Sequence, residues 1–238
     1  MLIPKQHGAW AMLFIPFALE MLAGGSTVWH IPLFAGWLLL YLATYPLTLL
    51  CKKQRKKKQL YQKWALIYSL LAIVCLLPIL WVHFRMVYFG LVMAPMFLIN
   101  LYYAKKNRDR AFLNDLAAIA AFCVGGLASY YLGAGKLTKE AWVLALHSFL
   151  FFLGTTFYVK TMIREKKNKM FKYYSWGYYI LLPFIILAIG GGWKTIAYVP
   201  SMLRAWFLYG RTLPIMTIGI IEIAVAVLYF LGMVFLPY

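Results

Sequence analysis

The segment TFYVKTMIREKKNK, Thr156 to Lys169, sets two cations, Lys160 and Arg164, and one carboxylate, Glu165, at the end of a long apolar run. Such cations bind phosphate or carboxylate oxygens without a metal, Arg through paired charge-assisted hydrogen bonds and Lys as a point charge. At about 100° per residue, Lys160, Arg164 and Lys167 fall on one helix face, and His147, Gly154, Tyr158, Thr161 and Glu165 on the opposite one. Both faces cannot look into a bundle. Long cationic side chains near the end of a span extend their tips to the headgroups, so Lys160 and Lys167 are expected to reach outward and the His147 to Glu165 face to look inward. Arg164 suits either that role or the clamping of an anionic headgroup.

Three ionisable residues, Glu20, His147 and Glu222, lie inside apolar runs, where such groups are expected to serve function. Glu222 lies roughly 13 Å into the last run and must pair, protonate or face water. His147 can relay protons to it or bond a backbone carbonyl. At the N-terminal end His7, with Lys5 and Gln6, can close a mouth over a ligand and change charge near neutral pH, whereas Trp10 suits an interface whatever the function. Asn114 and Asp115 follow the basic run KKNRDR and read as the opening residues of a helix, where an acid meets the positive end of the dipole. Cys51, Cys75 and Cys123 sit in apolar runs and have neither disulfide nor metal-ligand spacing, so no metal and no cofactor is expected.

These residues must be held by helices in a membrane. Of 238 residues 64% are hydrophobic and 13% charged, with mean hydropathy +0.76, which excludes a water-facing surface. A span takes roughly 20 apolar residues. Eight runs qualify, near Trp10 to Gly24, Ile31 to Cys51, Trp64 to Trp81, Tyr88 to Ala104, Leu113 to Gly133, Ala141 to Ile163, Tyr174 to Gly192 and Leu213 to Leu236. Pro16 and Glu20 interrupt the first run and no Ala-x-Ala site follows, so it reads as a span rather than a cleaved signal. The aromatic, basic segment WKTIAYVPSMLRAWFLYGR, Trp193 to Arg211, is predicted to lie at the interface. Pro16, Pro46, Pro78, Pro95 and Pro183 fall within spans and are expected to kink them.

Most of the 24 Lys and Arg follow the second, fourth and sixth runs, as in KKQRKKK, KKNRDR and REKKNK. Short cationic loops stay on the cytoplasmic side, so both ends of the chain are expected there, in a bacterial inner membrane. The net charge of +18 then matches anionic headgroups and calls for no nucleic-acid partner.

YPLTLLCKKQRKKK can be laid over YVKTMIREKKNKMF so that Tyr45 meets Tyr158, Thr48 meets Thr161 and Lys53 meets Lys166. The same shift pairs the first four runs with the last four, giving parallel halves near residues 1–110 and 111–238 of one integral domain. Such halves commonly meet around a cavity.

PKQHGAWAML near the N-terminus, YLATYPL at Tyr41 to Leu47 and VKTMIRE at Val159 to Glu165 resemble the YwiC-like family of bacterial membrane proteins. More distantly, the layout is similar to the UbiA-type prenyltransferase superfamily, which implies an all-α bundle of two four-helix halves with its chemistry at the cytoplasmic loops after the second and sixth spans. LYYAKKNRDRAFLNDLAAIAAFCVGG, Leu101 to Gly126, looks like that superfamily's Tyr and Lys/Arg segment. The superfamily pattern needs two carboxylate clusters to hold magnesium on a prenyl diphosphate. No Asp or Glu lies between Glu20 and Asp109, and Asn168 and Lys172 stand where further acids of the second cluster belong.

The resemblance, with cations in place of acids, implies a cytoplasmic pocket for an isoprenoid or lipid-linked phosphate, drawn from His7, Trp10, Tyr45, Lys53, Lys105, Lys106, Asn114, Asp115, Tyr158, Arg164 and Glu165. Two other classes stay open. Parallel halves, proline-broken spans and Glu222 with His147 at depth suit a small-solute or ion transporter, and the missing acid clusters permit a non-catalytic partner in a membrane complex.

Overall fold

The computed structural model describes residues 2–4, 7–52 and 57–237, with the His7 side chain outside that description. Every polar backbone group in hydrocarbon must be satisfied within the chain, and the apolar runs form helices accordingly. They are α1 (His7–Gly24), α2 (His30–Cys51), α3 (Lys58–Val82), α4 (Val87–Lys105), α5 (Phe112–Ala134), α6 (Lys139–Val159), α7 (Lys169–Ala188), α8 (Val199–Phe207) and α9 (Ile215–Phe235). Short 3-10 segments at Phe84–Met86 and Gly192–Tyr198 lead into α4 and α8, and a π-helical turn, Lys160–Arg164, ends α6. No strand occurs among the described residues.

Among the described residues six helical stretches are long and apolar enough to cross a membrane: His30–Cys51, Lys58–Val82, Phe84–Lys105, Phe112–Ala134, Lys139–Arg164 and Ile215–Phe235. Over Gly8–Gly24 the apolar helix is shorter. The class is all-α and polytopic. The five prolines expected within spans all lie inside helices.

The chain divides into two compact units, one centred on Pro16–Ala145 and the other on Leu146–Tyr238 with His7–Ile15. In the first unit the end of α1 lies against α5 through glycines, as small residues let membrane helices approach. A Cβ at Gly133 would lie 2.0 Å from the Gly25 carbonyl oxygen, and one at Gly24 would lie 2.6 Å from that of Tyr130. Polar groups pin the same crossing. Ser129 Oγ donates to Phe17 O at 3.1 Å, and His30 Nδ1 accepts from the Thr27 N–H at 3.0 Å, so Nε2 carries the proton donated to Ser129 O at 2.9 Å. Phe17, Leu33, Ile79, Met86, Ala128 and Leu132 form the adjoining apolar core.

In the second unit the segment 192–207 runs lengthwise. Tyr198 meets His147 at 2.8 Å, while Arg204, farther along, meets Thr155 at 3.3 Å, so the segment follows the direction of α6. The last helix, α9, runs the other way: Glu222 pairs with Arg204, Tyr229 stacks on Phe151 at 3.9 Å between centroids, and Gly232 abuts Ala197. The interfacial placement expected for Trp193 to Arg211 is therefore corrected. An interfacial helix turns its polar face to water, but here Lys194, Ser201 and Arg204 are buried, while Ile196, Leu203 and Phe207 are exposed. Polar inside and apolar outside is the arrangement of a segment embedded among helices.

Since α9 runs against α6, it ends at the opposite end of the unit from the turn Lys160–Arg164.

Two outcomes check this packing. Gly133→Ala should destabilise the protein by about 1–3 kcal/mol through overpacking, seen as a lower melting temperature in detergent. Gly177→Ala, with nothing within 4 Å of the new Cβ, should not destabilise it. In a background with Cys51, Cys75 and Cys123 replaced by Ser, an impermeant maleimide should label Lys167→Cys and Leu236→Cys from opposite membrane faces. Labelling from one face would refute the lengthwise run.

Candidate functional site

The most constrained polar site lies within the second unit, where three helices bring side chains to a guanidinium carried by a fourth. Pro200 occupies the first turn of α8, where its missing N–H costs nothing. Helical spacing then sets Ser201, Arg204 and Ala205 on one buried side. Arg204 Nη1 donates to Glu222 Oε1 of α9 in a short ion pair, with the two side chains 3% and 5% exposed. Arg204 Nη2 donates to Tyr179 OH of α7 at 3.0 Å and to Thr155 Oγ1 of α6 at 3.3 Å. The ring of Tyr158 lies 4.5 Å from the guanidinium carbon, at cation–π distance. Gly154 makes room for this grouping, because a Cβ there would come within 2.8 Å of Tyr178 and 3.0 Å of Tyr179 OH.

A second polar layer lies farther along the bundle. His147 Nδ1 donates to Tyr198 OH at 2.8 Å, and that hydroxyl donates to His147 O at 3.1 Å. Ser201 Oγ donates to Tyr198 O at 2.7 Å, tying this layer to α8. His147 thus anchors the turn before α8.

At the other end of α6 the helix gives way to the π-turn, closed by Glu165 N–H to Lys160 O at 2.7 Å. This changes the face assignment. Lys160 is buried at 4% exposure with Thr161 and Met162, whereas Arg164 and Lys167 are exposed. The expected outward reach of Lys160 is corrected: with Tyr158, Lys160, Thr161 and Met162 all buried, this end of α6 is covered on both of the faces that the wheel separates. Beyond it Glu165 accepts from Asn168 Nδ2 at 3.3 Å, and Asn168 Oδ1 caps α7 by accepting from the Met170 N–H at 3.1 Å. Ile163, Arg164, Glu165, Lys166, Lys167 and Asn168 line an open cavity of about 700 Å³. Nearby, Lys172 lies 4.4 Å over the Trp176 ring and 4.9 Å over that of Tyr209.

In the first unit Lys52 pairs with Asp109 at 2.5 Å, and Asn114 Nδ2 donates to Asp109 O at 2.7 Å. Asn114 therefore closes the turn before α5 rather than capping the helix, whose N-cap is Ala111 without a side-chain bond. Asp115 lies in the first helical turn, as expected. Lys105 and Lys106 are exposed, with Lys106 5.8 Å over Tyr102, and Tyr45 is half-buried. Glu20 is fully buried beside Gly126, with neither carboxyl oxygen hydrogen-bonded to a described residue. Trp10 is half-buried in α1, in the second unit. Lys53 and the His7 side chain lie outside the described residues. No His, Cys, Asp and Glu grouping fit for a metal occurs among the described residues.

Among the expected residues the structure thus joins Tyr158 and Glu222, through Arg204, and sets Arg164 and Glu165 on one loop. Sequence reading missed Arg204, Thr155 and Tyr179. A usable signal was the spacing of Ser201, Arg204 and Ala205 against Leu203, Trp206 and Phe207, which sorts polar from apolar faces.

Fold and site together define an all-helical, polytopic membrane protein with a buried ion pair in one unit and exposed basic turns. The family model described as YwiC-like protein matches residues 3–130. A Bacillus subtilis (strain 168) protein described as uncharacterized protein YwiC is 52% identical over 229 residues, covering 93% of this chain and 92% of that protein. A Haemophilus influenzae protein described as uncharacterized is 36% identical over 231 residues, covering 97% and 96%. The chain belongs to the YwiC-like family. No solved structure matches it.

Removing one partner of a buried pair leaves the other uncompensated, so Arg204→Ala should cost about 3–5 kcal/mol. The neutral double variant Arg204→Met/Glu222→Met should lose much less, as thermal unfolding of the purified proteins will show.

Proposed function

We propose that this membrane protein binds an anionic phosphorylated lipid, an isoprenyl phosphate or a phospholipid, at the cytoplasmic end of its helices. The carrying observation is the turn after α6, where Arg164, Lys166 and Lys167 line an open cavity whose one carboxylate, Glu165, is engaged by Asn168. Exposed cations around a concave surface favour phosphate oxygens through direct charge-assisted bonds. The other basic turn keeps Lys105 and Lys106 exposed while its acid, Asp109, is taken by Lys52. With Glu165 and Asp109 engaged, recognition in this reading is carried by cations and needs no paired magnesium sites.

The reading keeps the prenyltransferase-like scaffold of the distant resemblance, with pseudo-repeat halves near 1–110 and 111–238, as part of the proposal. It places the basic turns on the cytoplasmic side of a bacterial inner membrane, following the bias of Lys and Arg toward that side. The lengthwise run of 192–207 then carries the end of α9 to the far side.

The full chain, purified with its native lipids in the presence of chelator, should carry one phosphorylated lipid class enriched over the bulk membrane. Arg164→Ala/Lys167→Ala should reduce that enrichment by about 10-fold, the effect of roughly 1.4 kcal/mol. A lipid profile by mass spectrometry that is the same in both proteins would overturn the reading.

A further inference from the structure

The Arg204 grouping in the second unit has a feature that a purely structural ion pair lacks. Glu222 Oε2, Arg204 Nε and Tyr158 OH are buried with no hydrogen-bond partner, and all three belong to side chains in contact around the same guanidinium. A pair kept for stability alone gains from satisfying each of these atoms. One layer along the bundle from the site, Phe151, Tyr198 and Tyr229 form a packed aromatic wall, with ring centroids 3.9 to 6.4 Å apart.

We propose that Arg204 is the recognition group for a small organic monocarboxylate, and that the Glu222 carboxylate occupies that ligand's place when the site is empty. The planar guanidinium fork matches a carboxylate, Tyr179 and Thr155 hydroxyls adjoin it, and the aromatic wall suits an apolar body. A second negative charge cannot enter so buried a site uncompensated. Entry of the anion is therefore coupled to uptake of a proton from water by Glu222. One O–H bond forms on Glu222, its hydrogen bond from Arg204 passes to the ligand, and the site keeps the same net charge before and after. Glu222 faces Arg204 from α8, Thr155 and Tyr158 from α6 and Tyr179 from α7, so among these groups it is the one that takes the proton. Binding then tightens as pH falls, and the site has the elements of proton–carboxylate co-transport. It uses none of the loop cations that carry the lipid reading.

The test is calorimetric titration of sodium benzoate into the full chain in nanodiscs, in two buffers of different ionisation heat. Wild type should take up a proton on binding. Glu222→Gln, which resembles the protonated state, should bind about 5- to 150-fold more tightly, take up no proton and lose the pH dependence. Arg204→Gln/Glu222→Gln, neutral and so without an unpaired buried charge, should lose binding. Equal affinity in all three proteins, proton uptake that persists in Glu222→Gln, or no binding in either wild type or Glu222→Gln would overturn the proposal.

Discussion

A guanidinium inside an apolar bundle is tolerated only when its charge and its donors are met, and Arg204 imposes that condition on the second unit. Its desolvation costs several kcal/mol before any partner is counted. Three helices answer it with one carboxylate, two hydroxyls and an aromatic face. That demand explains why α8 turns its polar side inward, why Gly154 must stay small beside the tyrosines, and why Glu222 can sit deep within the apolar α9. The outward side of 192–207, with Ile196, Leu203 and Phe207 exposed, then suits hydrocarbon.

The first unit meets the same solvent differently. Its helices close on glycines, at Gly24 against Tyr130 and Gly133 against Gly25, with Ser129 and His30 bonded to backbone carbonyls across the crossing. Hydrocarbon gives apolar faces little reason to leave lipid for one another, so dispersion at short range and interhelical hydrogen bonds hold such crossings. Close backbone approach is thus to this unit what charge compensation is to the other.

The apolar runs were legible because backbone satisfaction in lipid leaves the helix as the accessible form, and each of the eight expected runs appears as a helix. That Glu222 must pair or protonate was legible from depth alone. Its partner was hidden because Arg204 stands among Trp193, Trp206 and Tyr209, residues that usually mark an interface. Lysine orientation failed for another reason. The wheel treats Lys160 and Arg164 as neighbours on one face, but the wider π-turn sets them apart, and one is buried while the other is exposed. The role of Asn114 was also misread, because the acceptor that claims its amide is a carbonyl from the preceding turn. Each failure concerns a tertiary partner or a local change of pitch, neither of which periodicity records.

The net charge of +18 contains two kinds of cation that composition cannot separate. Those on the turns, among them Lys105, Lys106, Arg164 and Lys167, are exposed and conform to the bias of basic loops toward anionic headgroups. Lys160, Lys194 and Arg204 are each at most 6% exposed, and no headgroup attraction accounts for a charge placed there. Insertion penalties act against every buried cation. Three in one unit therefore set a condition that partners in the interior must meet, one that the abundance of lysine on the loops does not describe.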